Sequence, residues 1–276
     1  MKIAAIQMLS SPRVQDNLAH AAALIEAAAA AGAELVALPE YFCIMGQRDG
    51  DKLLHAEAPG EGPIQAMLAA SARECGVWLV GGTLPMRIAG QGERARNASL
   101  VLAPDGHLVA RYDKIHLFRF DDGERRYDEA ATLEAGTEPV AFTLRDRAGH
   151  DWRVGLSICY DLRFPELYRA LARPPCDLLL VPSAFTHTTG QAHWELLLRA
   201  RAVENQCVVL APAQGGLHEN GRRTWGHSMA VGPWGEVLAV REEDGEGVVL
   251  AELDAARTRG VRAQLPALEH RVLPGC

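Results

Sequence analysis

The sequence predicts an α/β fold, sheets covered by helices, on three observations. Apolar runs of strand length alternate with helix-period segments along the whole 276-residue chain. Hydrophobic residues make up 48% of it, enough for a continuous core. No internal repeat or low-complexity linker interrupts it. Residues 1–276 read as one large domain, with 260–276 as a C-terminal arm.

Lys2–Met8 reads as a buried strand. A helix from about Asp16 to Ala31 follows, and Gly32 stands where a helix stops. Glu34–Leu38 is a second buried strand that delivers Glu40 to its end. A helix over Pro63–Cys75 leads into a strand at Val77–Gly81. Asn97–Leu102 and Leu108–Tyr112 flank Pro104-Asp105-Gly106, a hairpin signal. Arg119–Arg126 is dense in charge and reads as a polar loop. Trp152–Ile158 is a strand, Pro165–Ala172 a helix and Asp177–Val181 a strand. Over Gly190–Asn205, the residues Ala192, Leu196, Leu197, Ala200 and Val203 recur at helical spacing. Val208–Ala211, Ser228–Gly232, Val237–Val240 and Gly247–Leu253 are late strands, with a tight turn at Pro233-Trp234-Gly235. Gly260–Cys276, with Pro266 and Pro274 and no helix stop, is expected to be extended and to need a partner surface.

Composition excludes several classes. A net charge of -7 argues against nucleic-acid and anionic-membrane partners, which require a basic surface. No apolar run reaches the ~18–20 residues needed to cross a bilayer, and the N-terminus lacks a signal-peptide layout. Cysteines at 43, 75, 159, 176, 207 and 276 show no pairing rhythm, which fits reduced thiols and a cytoplasmic location. His187 and His193 lie six apart with no Cys pair, so neither a metal nor an organic cofactor is expected. His193 and His227 read as structural hydrogen-bonders.

The chemistry concentrates at Ser157-Ile158-Cys159-Tyr160-Asp161-Leu162-Arg163-Phe164-Pro165-Glu166, where an apolar strand turns toward a helix. A thiol there can be aimed at by helix N-terminal amides, whereas a Cys elsewhere is by default an inert small hydrophobe. Glu40 follows the apolar Val36-Ala37-Leu38-Pro39, and Lys114 sits beside Ile115-His116-Leu117-Phe118. Each is a charge next to apolar sequence, where a charge needs a reason to be. Passing a proton from a thiol near ~8.5 to a carboxylate near ~4.3 is uphill by roughly 6 kcal/mol. Burial of the acid and a cation beside the thiolate would close that gap.

These segments resemble the Glu–Lys–Cys signature of the nitrilase superfamily, the carbon–nitrogen hydrolases, over nearly the whole chain. The resemblance implies a four-layer αββα sandwich and thiol-mediated hydrolysis of a small amide with water. Cys159 would be the nucleophile, Glu40 the general base, and Lys114 with the Tyr160 amide the oxyanion hole. A second glutamate that holds the lysine falls best on Glu129, with Glu124 and Glu134 as neighbouring alternatives. Pro182–Glu195 is similar to the branch of ω-amidases and deaminated glutathione amidases. There Arg163, Phe185 and Thr189 would contact a carboxylate-bearing substrate, and Gln214–His218 with Gly226–Met229 leans toward the second of those activities. Arg163 has an alternative as an ion-pair partner of Asp161 or Glu166. Other carbon–nitrogen hydrolase activities, on carbamoyl amino acids or aliphatic amides, and a catalytically silent binding protein are the competing readings. The family also implies a homodimer or larger homo-oligomer, packed near the cysteine segment and the C-terminal tail.

Overall fold

A computed structural model describes residues 1–90, 93–121, 123 and 126–273. The N-terminal part supplies β1 (Lys2–Gln7), α1 (Val14–Ala30), β2 (Leu35–Ala37), α2 (Asp51–Leu54), α3 (Pro63–Cys75), β3 (Trp78–Val80), β4 (Leu84–Arg87), β5 (Ala95–Leu102) and β6 (Leu108–Asp113). A small antiparallel hairpin follows, β7 (Arg119–Asp121) and β8 (Arg126–Asp128), with Phe120 opposite Tyr127. Next come β9 (Ala141–Arg145), β10 (Asp151–Leu156), α4 (Pro165–Leu171), β11 (Leu178–Leu180), α5 (His187–Asn205) and β12 (Val208–Ala211). The chain closes with β13 (Gly215–Leu217), β14 (Arg223–Trp225), β15 (Met229–Val231), β16 (Val237–Val240), β17 (Gly247–Glu252) and α6 (Ala255–Gln264).

Two large sheets face each other. One runs β17-β1-β2-β3-β5-β4, with β6 also paired to β5; the other runs β16-β15-β12-β11-β10-β9. Each has a parallel centre, β1-β2-β3 and β10-β11-β12. Alternation along β1 and β2 sets the layers. Ile3, Ala5, Leu35 and Ala37 pack into a core shared with the second sheet, while Ala4, Ile6 and Val36 pack with residues of α1 and α3. Helix α5 packs on β12 and β15 and against α4, giving the fourth layer. The αββα sandwich is therefore present. It places the ends of β2, β10 and β11 together at one rim.

Three expectations need correction. The charged stretch after Arg119 contains the β7–β8 hairpin, held by backbone pairing that the charge pattern concealed. The helix over 190–205 begins earlier, at His187, and buries a different face. Trp194, Leu198 and Ala202 point inward with Arg201 and Asn205, while Leu196 and Val203 are 66% and 50% exposed. Arg201 belongs inside because its guanidinium donates twice to the Leu162 carbonyl. The reading of hydropathy alone assigned that inward stripe to the polar side. Finally, Gly260 lies inside α6, whose first turn is capped by the Asp254 carboxylate on the Ala256 and Arg257 amides. The non-helical tail starts at Leu265, and Pro274–Cys276 lie outside the described residues. Among the described residues, no helix is long and apolar enough to cross a membrane.

Candidate active site

Cys159 follows β10 by three residues, in a 3₁₀ turn over Cys159–Arg163 that precedes α4. Its backbone is held at φ 47°, in a left-handed region that a non-glycine residue adopts only under constraint. Asp161 supplies that constraint. Its fully buried carboxylate accepts from the Tyr112 hydroxyl (2.7 Å), the Ile158 N–H (2.8 Å) and the His116 N–H (3.0 Å), and sits 2.7 Å from His116 Nδ1. The His116 ring stacks on Phe164 at 3.7 Å, which locks the far side of the turn. The Cys159 N–H donates to the Pro182 carbonyl. Among the described residues, the Tyr160 N–H donates to no protein acceptor. It is the free amide that an oxyanion would need.

Glu40 follows β2 and is 1% exposed. Its Oε1 accepts from Lys114 Nζ (2.8 Å) and Asn97 Nδ2 (2.9 Å), and its Oε2 from the Ala184 N–H (2.9 Å). The backbone turns sharply just beyond, with Tyr41 at φ 55°. Gly82 packs under this corner: a Cβ there would lie 2.1 Å from the Pro39 carbonyl oxygen, so only glycine fits.

Lys114 is 1% exposed and gives its remaining donors to Glu129, at 3.1 Å to Oε1 and 2.8 Å to Oε2. Glu129 also accepts from the Tyr41 hydroxyl (2.7 Å) and the Phe118 N–H (2.7 Å). Burial by itself would push the Lys114 ammonium down, but Glu129 and Glu40 outweigh it and hold it above an ordinary lysine. Burial likewise disfavours the Glu129 anion, yet the Lys114 charge and its hydrogen bonds bring that carboxyl below its usual value. Cys159 goes the other way. Burial first, then the Glu40 charge, push its thiol well above the ordinary range, and Lys114 only partly opposes them. One cation shared by two acids leaves a surplus of negative charge, which disfavours a resting thiolate.

Of the glutamates considered beside Glu129, Glu134 pairs with Arg96 and Glu124 lies outside the described residues. A cavity opens over this cluster, lined by Glu40, Phe118, Glu129, Cys159, Tyr160 and Arg163, and further by Phe185, Thr189 and Arg222. Lys114 does not itself line it, but its ammonium donates to Glu40 and Glu129, which do. Arg163 is not paired with Asp161 or Glu166: its guanidinium lies 5.3 Å from the Phe185 ring centre and 3.3 Å from His193 Nδ1. It lines the cavity, and among the described residues it has no carboxylate within ion-pair distance. The Thr189 hydroxyl is 2.7 Å from that of Thr186 at the start of α5. Gln214 donates to the Glu40 backbone carbonyl and to Ser10, and His218 bridges the Ser10 carbonyl and the Thr224 hydroxyl. His227 stacks on Trp225 at 4.1 Å and accepts at its carbonyl from Trp194 Nε1.

Sequence reasoning missed Asn97, Tyr41 and the locking role of Asp161. Asn97 carried a readable signal, since an amide in the strand run Ala95–Leu102 must find a buried partner.

The chain belongs to the carbon–nitrogen hydrolase family, whose pattern matches residues 2–263, and is a hydrolase of non-peptide C–N bonds. It is 44% identical over 271 residues to a deaminated glutathione amidase of Synechocystis, covering 98% of this chain and 97% of that protein. It is 40% identical to an omega-amidase of Xenopus laevis, over 98% of this chain and 94% of that one. Among solved structures, Saccharomyces cerevisiae Nit3 superposes with a TM-score of 0.86 at 32% identity, covering 99% of this chain and 97% of the other. The C. elegans NitFhit protein superposes with a TM-score of 0.88 at 37% identity, over 98% of this chain and 65% of that longer one.

Proposed function

We propose that the chain hydrolyses the ω-amide of a small carboxylate-bearing acid, deaminated glutathione first, through a thioester on Cys159. The observation that carries this reading is the convergence of Glu40, Lys114, Glu129 and Cys159 under a cavity whose wall contains the unpaired Arg163. Because the resting nucleophile is a thiol, Glu40 takes its proton as sulfur attacks the carbonyl carbon. The carbonyl oxygen becomes an oxyanion bound by the Tyr160 N–H and the Lys114 ammonium. Lys114 reaches it by turning one proton away from its double contact with Glu129. Preorganised donors of this type are worth ~3–4 kcal/mol of barrier. Glu40 then returns the proton to the leaving nitrogen, the C–N bond breaks, and Glu40 activates water to cleave the thioester. Glu129 and Tyr41 hold Lys114 in place, and Asn97 holds Glu40.

Arg163 clamps the carboxylate of the acyl portion, Phe185 supports its guanidinium, and Thr189 lines the same wall. Deaminated glutathione carries such a carboxylate beside a ketone, as does α-ketoglutaramate, so both fit the reading. The test is a panel: dipeptide release from deaminated glutathione, ammonia release from α-ketoglutaramate, and turnover of carbamoyl amino acids and simple nitriles. Arg163→Lys keeps the charge but loses the planar fork. It should lower the specificity constant for an ω-amide acid relative to its methyl ester by about 30-fold or more. An unchanged ratio would make Arg163 structural and remove the carboxylate from the reading. No activity on any ω-amide would remove the reading itself.

The same proposal includes a homodimer or larger homo-oligomer in a reducing, cytoplasmic setting. Leu196 and Val203 on α5, with Trp234 in the turn beside Val203, leave an exposed apolar face on the helix whose buried Arg201 holds the cysteine segment, and the five described cysteines are all free thiols. A concentration-independent monomer in analytical ultracentrifugation would argue against the assembly.

A further inference from the structure

A second cavity, of about 500 Å³, adjoins the first, and Arg222 lines both. Its wall carries three cations, Arg48, Lys52 and Arg222, against one acid, Asp49. These charges are poorly compensated. Among the described residues, neither Lys52 nor Arg222 has a carboxylate within ion-pair distance. Lys52 lies over the Tyr41 ring, 5.2 Å from its centre, and Arg222 lies over the Tyr127 ring at 5.3 Å. The Arg222 Nη2 donates to the Ala184 carbonyl at 3.1 Å, but its buried Nε has no partner. A buried guanidinium N–H without an acceptor is uncommon and marks a place where a ligand oxygen would be bound. Burial first holds the Lys52 ammonium below its ordinary value; Glu129 and Asp49 oppose it without restoring that value, and Arg222 and Lys114 add to the lowering, so an added anion would act in the opposite direction.

Arg163 and Cys159 both line the smaller cavity, which the reading above assigns to the acyl group. Tyr41 connects the two cavities: its hydroxyl donates to Glu129 in the active site, and its ring forms the floor under Lys52. We propose that the larger cavity is the leaving-group subsite and selects an amine that bears its own carboxylate, held by Arg222 and Lys52. This rests on the amidase reading above and deepens it: a substrate with one carboxylate on each side of the amide is favoured over one that releases only ammonia. During the reaction the C–N bond breaks, the nitrogen leaves with the proton carried by Glu40, and the departing amino acid or peptide remains anchored by its carboxylate until acyl transfer to sulfur is complete.

The experiment compares three substrates with one 2-oxo-dicarboxylic acyl group: the simple ω-amide, the ω-amide of alanylglycine, and the same dipeptide conjugate with its C-terminal carboxylate converted to carboxamide. The reading is the ratio of kcat/KM for the acid conjugate to that for the carboxamide. In the unmodified protein this ratio should be about 10-fold or larger, the scale of one charge-assisted contact. Lys52→Gln and Arg222→Gln should each bring it down toward one. A ratio near one in the unmodified protein, or a ratio unmoved in both variants, overturns the subsite. In that case continued turnover of the simple ω-amide would leave the amidase reading standing. Failure to hydrolyse any of the three would remove both.

Discussion

Cys43 and Cys159 are both buried thiols near the ends of parallel strands, yet their surroundings differ in the one respect that matters for chemistry. Cys43 is 0% exposed in an apolar core, and its Sγ–H donates to the Thr83 carbonyl, at 3.8 Å. Burial pushes its thiol far up, and no cation counters that. Cys159 is pushed up by burial too, but Lys114 opposes that, its backbone is constrained, it opens to a cavity, and in the mechanism proposed above Glu40 receives its proton. Cys176 is also raised, to about 11, by burial first, with Arg153 and Arg262 partly opposing it, and its Sγ–H donates to the Leu171 carbonyl. Burial alone makes a thiol inert. In the mechanism proposed above, Cys159 differs because it also opens to a cavity with Glu40 placed to take its proton.

The strongest way to break this comparison is to exchange the two sites' roles. Cys159→Ala should abolish amide hydrolysis, a loss of at least about 10⁴-fold, while the protein stays folded. Cys43→Ala should retain turnover within an order of magnitude, and quenched reactions should carry the acyl adduct on Cys159. An adduct on Cys43, Cys176 or Cys207 would move the active site.

The next test removes the charges and keeps the thiol. Glu40→Gln and Lys114→Met should each cut turnover by about 10²–10⁴-fold. Because both act on one reacting carbon, the double variant should be little worse than the poorer single one. Near-normal turnover in either would mean that burial and geometry suffice, contrary to the comparison with Cys43.

A smaller effect is read without substrate. Iodoacetamide at neutral pH should modify Cys159 at least about 10-fold faster than Cys43, Cys176 or Cys207, as peptide mapping would show. Lys114→Met should remove most of that advantage, because it takes away the cation that favours the thiolate. An advantage unmoved in that variant would make accessibility, rather than the charged neighbours, the controlling factor.

The smallest effect isolates burial in a site whose hydrogen-bond partners are neutral. His218 is buried between the Ser10 carbonyl and the Thr224 hydroxyl, and burial lowers its pKa to about 4. Between 6.5 and that value the unfolded chain binds a proton that the folded one does not, so this contribution to stability is lost as pH falls. The slope is about 1.4 kcal/mol per pH unit. Unfolding in denaturant at pH 6.5, 5.5 and 4.5 should show that extra fall in the unmodified protein and lose it in His218→Gln. Parallel slopes would mean that His218 accepts its proton in the folded state.

How much of this was legible follows from what each residue needs. Glu40, Lys114 and Cys159 stand out in the sequence because each is a reactive or charged residue beside an apolar run, and because their local motifs resemble a known family. The strand runs are legible for the same reason, since apolar segments of that length have few other uses. The outer face of α5 was misread because Arg201 counts as polar by type but is buried by virtue of a partner distant in sequence, the Leu162 carbonyl. Asn97 on Glu40, Tyr41 on Glu129 and Asp161 on Tyr112 and His116 span from 45 to 88 residues of chain, and no local pattern encodes such pairs.

By itself, then, the sequence determined the class of fold, most of the longer strands and helices, and the three residues to which our reading gives the reaction. Tertiary structure decided which glutamate holds Lys114, which way Arg163 faces, and that Arg222 stands between two cavities. The physical reason is that hydropathy and turn chemistry act over a few residues, whereas buried charge is settled by whichever partners the fold brings within 3 Å.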